Sequence, residues 1–510
     1  MPEYLSPGVY VEEIEIGAKP VAGVSTSTAG FLGETERGPA IPRLVTSWLD
    51  YQRVFGGYFG ADKYLPYSVQ GFFDNGGQRC FIGRIVKTGA GTASFKLKQG
   101  TANALTVAAV GEGSWGTRIA VKATAGTFSG FKLSLFYWKD VPVSLYDPDN
   151  DLTAKPRPAV TEVFDNLSVV EASADYYTKR VNGISNLITV TKQSGDSGAV
   201  PDVLAVTWLA GGDDGTGPLV LADYTRTDTN EPGKRKGLSG FSEVDEISLV
   251  YSPNAQAVNG LVGAVITHCE NLKDRFALID AAQGSAGVAS LDPRSDNETK
   301  YAAFYYPWLR VVDPVAGMRR LVPPGGHMAG IYARTDAERG VHKAPANEVV
   351  RGAVDLEFQI TKGEQDILNP RGVNCIRFFP GRGIRIWGAR TLSSDTLWKY
   401  INVRRLFIYL EESIDEGTQW VVFEPNNEKL WARVRRTLTE FLTRVWRDGA
   451  LMGTKPEEAF FVKVDRTTMT QDDIDNGRLI VLIGVAPVKP AEFVIFRIAQ
   501  FAGGSDVSEG

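Results

Sequence analysis

The stretch PAEFVIFRIAQF at 490–501 constrains this chain more than any other. In an extended strand, Phe493, Ile495, Ala499 and Phe501 share one face with Arg497, while Val494, Phe496 and Ile498 share the other with Gln500. Both faces are therefore largely apolar, and such a strand needs cover on two sides. Only nine residues, AGGSDVSEG, follow it, and they read as a frayed tail. The opening YLSPGVYVEEIEIG at 4–17 poses the same problem, because extended, proline-punctuated sequence begins where no earlier segment can pair with it. An unpaired terminal strand is a template for another chain. Two such ends predict partners at both.

At 510 residues the chain is long enough for about three domains. Its 43% apolar and 23% charged residues are ordinary globular material, and 54 glycines suggest many turns and a strand-rich fold. No apolar run approaches the roughly 18 residues of a membrane span, the longest lying near LIVLIGVA at 479–486. The acidic opening lacks the basic start and apolar stretch of a secretory signal, which predicts folding in the cytosol. Cys80, Cys269 and Cys375 are scattered and odd in number, fitting buried reduced thiols. A net charge of −5 gives no general support to nucleic-acid binding. The charge is uneven, however: residues 371–450 hold 14 lysines and arginines against 9 acids, leaving −10 for the remainder. One basic region in an acidic protein points to a local acidic partner.

The predicted fold is mixed, α/β and α+β, in several domains. After an N-terminal arm (1–20), residues 21–95 open an α/β region with a helix over Trp48–Phe55. Residues 96–206 change to short alternating runs such as ANALTVAAV and FKLSLFYW, an antiparallel β-rich insertion. From 207 to 364 strand and helix patterns alternate: ISLVYSP, then AQAVNGLVGAVITHCENL as one helix, then RFALIDA as a buried strand. Residues 365–501 form an α+β unit with strands IRFFP and GIRIWGA, a helix from Asp395 to about Glu416, a second from about Asn427 to Leu451, and final strands; 502–510 is the tail.

Catalytic patterns fail on their own terms. GDSGA at 195–199 has histidines (His268, His327, His342) only downstream, the reverse of the order in trypsin-like proteases, and reads as a turn. GEGSWG at 111–116 runs into a strand-like TRIAVKA, and Trp115 would crowd a pyrophosphate. DPDND at 147–151 begins like a calcium loop, but Leu152 and Pro158 stand where Gly and Glu are needed. No P-loop and no metal-ligand spacing occurs, so neither cofactor nor metal is expected. The second long helix carries more. Leu430, Trp431, Val434, Leu438, Phe441, Leu442 and Val445 fall in one arc of about 120°, opposite a ridge of Lys429, Arg433, Arg436, Glu440, Arg444 and Arg447. A solvated face is the ordinary meaning of such a ridge; five cations with one carboxylate repel one another unless an acidic surface answers them.

PGVYVEE, GFLGETERGP, FFDNGGQRCFIGRI, YYPWLRVVDP, VPPGGHMAGIYARTDAERGVHKAPAN, GRGIRIWGARTL, VFEPNN and PAEFVIF together resemble the contractile tail sheath proteins of phage tails and phage-like injection particles. Gly326 and His342 depart from the pattern, in positions that do not bear on assembly. The resemblance implies a structural, non-enzymatic subunit that polymerises as a helical cylinder around an inner tube and contracts, driving the tube through a cell envelope. It implies exchange of terminal strands between copies, assigned to Val9, Tyr10 and Val11 and to Phe493, Val494, Ile495, Phe496, Arg497 and Ile498. The basic ridge becomes a candidate tube-docking surface. Implied partners are further copies, the tube protein, baseplate and tail-terminator proteins and sister sheath proteins, with no nucleic acid and no membrane insertion; assembly is expected in the bacterial cytoplasm. The rivals are an α/β hydrolase-like enzyme using Asp213, Asp214 or a histidine, and a static tube or baseplate component.

Overall fold

The computed structural model describes residues 21–227 and 231–497. Its largest element is an eight-stranded sheet, ordered Gly383–Trp387, Val373–Phe379, Ala302–Tyr306, Phe276–Asp280, Leu249–Tyr251, Ala29–Gly33, Cys80–Arg84, Arg43–Val45. The six inner strands are parallel, and an antiparallel strand closes each edge. Every residue of Ala29–Gly33, Phe276–Asp280 and Ala302–Tyr306 is buried, as a sheet covered on both faces requires. One cover is a close pair of helices, Leu65–Asp74 and Gly325–Arg339. A Cβ on Gly330 would stand 2.3 Å from the Phe72 carbonyl oxygen, and one on Gly326 2.4 Å from Ser68 Cα, so these two of the three glycines of GGHMAG set how near the helices lie.

Residues 94–208 leave this sheet and build two antiparallel ones. The first is Ser94–Gln99, Ala102–Ala109 and Ile188–Thr191; the second runs Leu204–Trp208, Ile119–Ala125, Phe131–Tyr137, Val160–Leu167. Their facing sides share a separate apolar core that includes Leu105, Val107, Val121, Leu133 and Leu135. Alternation in the sequence produces this: Leu133, Leu135 and Tyr137 all point inward from one strand.

The C-terminal part is built on two helices, α1 (Ile401–Thr418) and α2 (Glu428–Arg447), joined across Leu406, Leu410, Phe441, Leu442 and Val445. Val21 is buried in the same cluster, and the segment after it runs along α1: Val24 N–H donates to Ser413 Oγ at 3.1 Å, and Arg405 donates to the Thr26 carbonyl at 2.7 Å. Arg405 also pairs at 2.5 Å with Asp336, both nearly inaccessible to water, which locks α1 to helix Gly325–Arg339.

Several sequence expectations need correction. Strands Val373–Phe379 and Gly383–Trp387, assigned to the unit beginning at 365, complete the large sheet, because Val373 to Cys375 pair with Phe304 to Tyr306. The helix expected from 255 starts at Leu261, since Gly260 at φ +81° breaks the run. α1 starts at Ile401 rather than Asp395: Asp395 closes a local turn by accepting from Leu397 N–H, and Tyr400 bridges back to Arg390. α2 stops at Arg447, four residues short of the expected end, where Gly449 takes φ +82°.

Candidate assembly surfaces

Residues Phe493 to Arg497 lie on the surface in neither helix nor strand. Phe493, Val494, Ile495 and Phe496 are 69 to 83% exposed, and no described strand pairs with them. Four adjacent large apolar side chains in water are rare on a finished surface and mark an interaction segment. Val9, Tyr10, Val11 and Ile498, the other expected strand residues, lie outside the described residues, as do the arm 1–20 and the tail 502–510.

Immediately before this segment the chain is clamped. The Glu492 carboxylate accepts from Arg390 at 2.7 and 2.9 Å, from Asn369 Nδ2 at 2.9 Å and from the Tyr400 hydroxyl at 2.9 Å, with Lys399 Nζ 3.6 Å away. Burial raises its pKa, but these hydrogen bonds, Arg390 first, outweigh burial and hold it at about 2 instead of 4.5. A carboxyl held below its unfolded value stabilises the folded form above about pH 4.5, and that stabilisation is lost as the pH falls toward 2. Replacing Glu492 with Gln is expected to leave the Arg390 guanidinium, 8% exposed, without a counter-charge. Breaking such a pair costs about 3 kcal/mol, so amide exchange at Val488 and Glu492, whose N–H groups donate to the Ala450 and Pro490 carbonyls, should accelerate about a hundredfold. Unchanged protection at neutral pH would show that the clamp is not what seats the segment.

The two ends leave from opposite ends of α1. Val21 packs against Gly417, and its carbonyl accepts from Arg444, whereas Glu492 is tied to Tyr400. Gly417 lies seventeen positions beyond Tyr400 along the helix, a rise of about 26 Å.

A third feature is the ribbon of β1 (Phe460–Lys463) and β2 (Leu482–Val485), antiparallel with Phe461 opposite Gly484. Phe460, Val462, Ile483 and Val485 turn inward onto α1 and α2, while Phe461 and Leu482 are 54% and 53% exposed. A Cβ at Gly484 would stand 2.1 Å from the Phe461 ring, so a larger residue there would push that exposed ring aside. Two strands are marginal as a sheet, and each leaves an outer edge without a described strand partner.

On α2 the apolar stripe Leu430, Trp431, Val434, Leu438, Phe441, Leu442 and Val445 is buried. Asn427 caps the helix by accepting from Leu430 N–H. Lys429, Arg433, Arg436, Glu440, Arg444 and Arg447 are exposed, and none of them joins an ion pair among the described residues. Two are engaged otherwise: Arg433 stacks 4.1 Å from the centre of the Trp420 ring, and Arg444 donates to Val21. Arg444 and Arg447 also sit in the last turn, where cations suit the helix dipole. Lys429, Arg436 and Arg447 make no described polar contact.

The residues of the catalytic rival are dispersed and occupied structurally. Asp214 accepts from Ser114 N–H at 2.9 Å and from its hydroxyl, and Asp213 bridges to Gly91, so both tie loops at the base of the insertion. His268 lies buried beside Arg275, and His327 is buried under helix Leu65–Asp74; burial pushes each down to about 4, with Arg275 adding to it at His268. Asp196 closes a turn by accepting from Gln193 N–H, Trp115 is buried in a short 3-10 helix, and Asp147 and Asp149 share Lys122. The three cysteines are buried and unpaired. Among the described residues no group of acids, histidines and cysteines has the arrangement of a metal site, and no helix is long and apolar enough to cross a membrane.

Sequence reasoning missed the Glu492 clamp and the open ribbon. The first left a faint signal, a single carboxylate directly before the apolar run of PAEFVIF.

Two family models match consecutive stretches of the chain. That of the phage tail sheath protein central domain covers residues 222–392, and that of the phage tail sheath C-terminal domain covers 393–501, together more than half of the chain. A tail sheath protein of Vibrio phage KVP40 is 25% identical over 269 residues, 52% of this chain and 38% of that protein. A putative prophage major tail sheath protein of Pseudomonas aeruginosa is 25% identical over 243 residues, 46% of this chain and 61% of that one. The chain thus spans 38 to 61% of the length of these relatives. Among solved structures, the contracted helical sheath of the anti-feeding prophage is similar with a TM-score of 0.59 and 26% identity over 98% of this chain and 99% of that one. The contracted sheath complex of an extracellular contractile injection system, PVC, gives 0.61 and 24% over the same shares.

Proposed function

Since the chain belongs to the phage tail sheath family, we propose that it is the structural subunit of a contractile sheath, polymerising as a helical cylinder around an inner tube and contracting to drive that tube through a target envelope. The observation that carries this reading is the match to contracted sheaths along nearly the whole chain. The role is mechanical, without catalysis. The exposed run Phe493–Phe496, continued by Ile498, adds to a ribbon edge of a neighbouring copy, and Val9–Val11 of another copy adds to the opposite edge, making four strands from two. The antiparallel insertion projects away from the tube; α2 faces it. Baseplate and terminator proteins close the cylinder's ends, and assembly takes place in the bacterial cytoplasm.

Energy for contraction comes from assembly in a trapped, extended form. If contraction buries a further 200 Å² of apolar surface per copy, the gain is about 5 kcal/mol, and over on the order of a hundred copies hundreds of kcal/mol. No nucleotide is consumed at firing. Electron microscopy of the purified protein with and without its tube protein tests this. Short, wide cylinders are expected alone and long, narrow ones on the tube; a stable monomer at high concentration under both conditions would overturn the reading.

A further inference from the structure

The turn between α1 and α2 holds two apolar side chains in water. Val422 is 59% exposed and Phe423 fully so. Phe423 also takes φ +68°, a conformation that a bulky residue avoids and that persists only where its surroundings impose it. The turn is tightly pinned. Val422 N–H donates to the Gln419 carbonyl and Glu424 N–H to that of Val421, while Asn426 donates to the Arg478 carbonyl at 3.0 Å and accepts from Trp431 Nε1 at 2.7 Å. A rigid aromatic held out at little further entropic cost is the profile of an interface anchor.

At the other end of α1 lies a groove of about 1070 Å³. Phe379, Trp387 and Tyr400 give it an aromatic wall, the first two with ring centres 4.6 Å apart. Its rim carries Arg339, Lys362 and Lys489, all exposed and without a described ion pair, against one unpaired acid, Asp366. The geometry points to insertion of Val422–Phe423 of one subunit into this groove on the next copy, with the exposed Glu424 meeting the cationic rim. Apolar pair meets aromatic wall and acid meets base. Knob and groove occupy different places on one chain, so the contact is head to tail, the kind that links copies into rings or helical filaments. It rests on the polymerising role proposed above and does not use the basic ridge, but Phe493 and Val494 of the exposed terminal run also line the groove.

Incorporating the photo-crosslinker p-benzoylphenylalanine at position 423, in sheath polymerised from mixed isotope-labelled and unlabelled subunits, tests it directly. Mixed-isotope crosslinks from 423 to peptides within 377–400 are expected. Crosslinks confined to the tube protein, to terminal segments or to other regions would overturn it, as would none from polymers that form normally. Phe423→Ala should raise the concentration needed for polymerisation about tenfold. Glu424→Lys and the pair Lys362→Glu with Lys489→Glu should each impair it, and all three together should restore it, which mere misfolding would not do. If wild-type protein polymerises and Phe423→Ala polymerises equally, this contact is wrong and the sheath role stands; if wild type itself stays monomeric, both fail.

Discussion

A chain ending at Glu492 is expected to fold and melt as the full chain does, yet to form no cylinders. The clamp on Arg390, Asn369 and Tyr400 remains, and the described residues that are removed, Phe493 to Arg497, are exposed in the subunit. Their contribution arises only on assembly. Burying four large apolar side chains is worth about 1.5–3 kcal/mol each, so roughly 6–12 kcal/mol per contact in gross terms. Immobilising the segment offsets part of that. Even half the lower figure, about 3 kcal/mol, shifts a contact's association constant about a hundredfold, and a polymer needs every contact. Thermal melting with sedimentation of the same sample separates the two effects. Cylinders of normal yield from the shortened chain would eliminate strand exchange; a lowered melting temperature would instead place the segment in the subunit's own core. Substituting Asp for both Val494 and Phe496 should reproduce the loss without shortening the backbone.

What could be read in the sequence follows physical range. Helix Trp48–Phe55 and the buried stripe of α2 were legible because period and caps are local: Ser47 and Asn427 each accept from a backbone N–H three residues on. Strand Phe276–Asp280 was legible from its unbroken apolar run. Which sheet a strand joins is not local. Val373–Phe379 reads the same whether it opens a new unit or completes an old one, and pairing with residues some seventy positions earlier decides it. The Glu492 clamp escaped for the same reason, its partners standing 92 to 123 residues away in the chain. The Phe493–Phe496 run lies on the other side of this divide: apolar residues at both odd and even positions can be read locally as wanting cover, and in the subunit these four side chains are exposed.

Reversing charge on α2 should separate tube binding from self-assembly. Lys429, Arg436 and Arg447 are the positions to change to Glu, because Arg433 and Arg444 also stack on Trp420 and bond Val21, and altering those would disturb packing as well as potential. The apolar stripe beneath is untouched, so the helix should persist. Each exposed ion pair with an acidic tube surface contributes up to about 1 kcal/mol, and reversal replaces attraction with repulsion, giving a loss of about 2–5 kcal/mol per subunit. Long sheath on tube is then expected to vanish while tube-free cylinders form at normal yield. With wild type, raising salt well above 0.15 M, where screening already acts within about 8 Å, should loosen the sheath from the tube in the same direction. If both assemblies survive reversal and salt unchanged, the ridge is a hydrated surface. On the proposed role, contacts this weak singly suit a grip that holds through many copies at rest and can still be released, since a tighter one would oppose contraction.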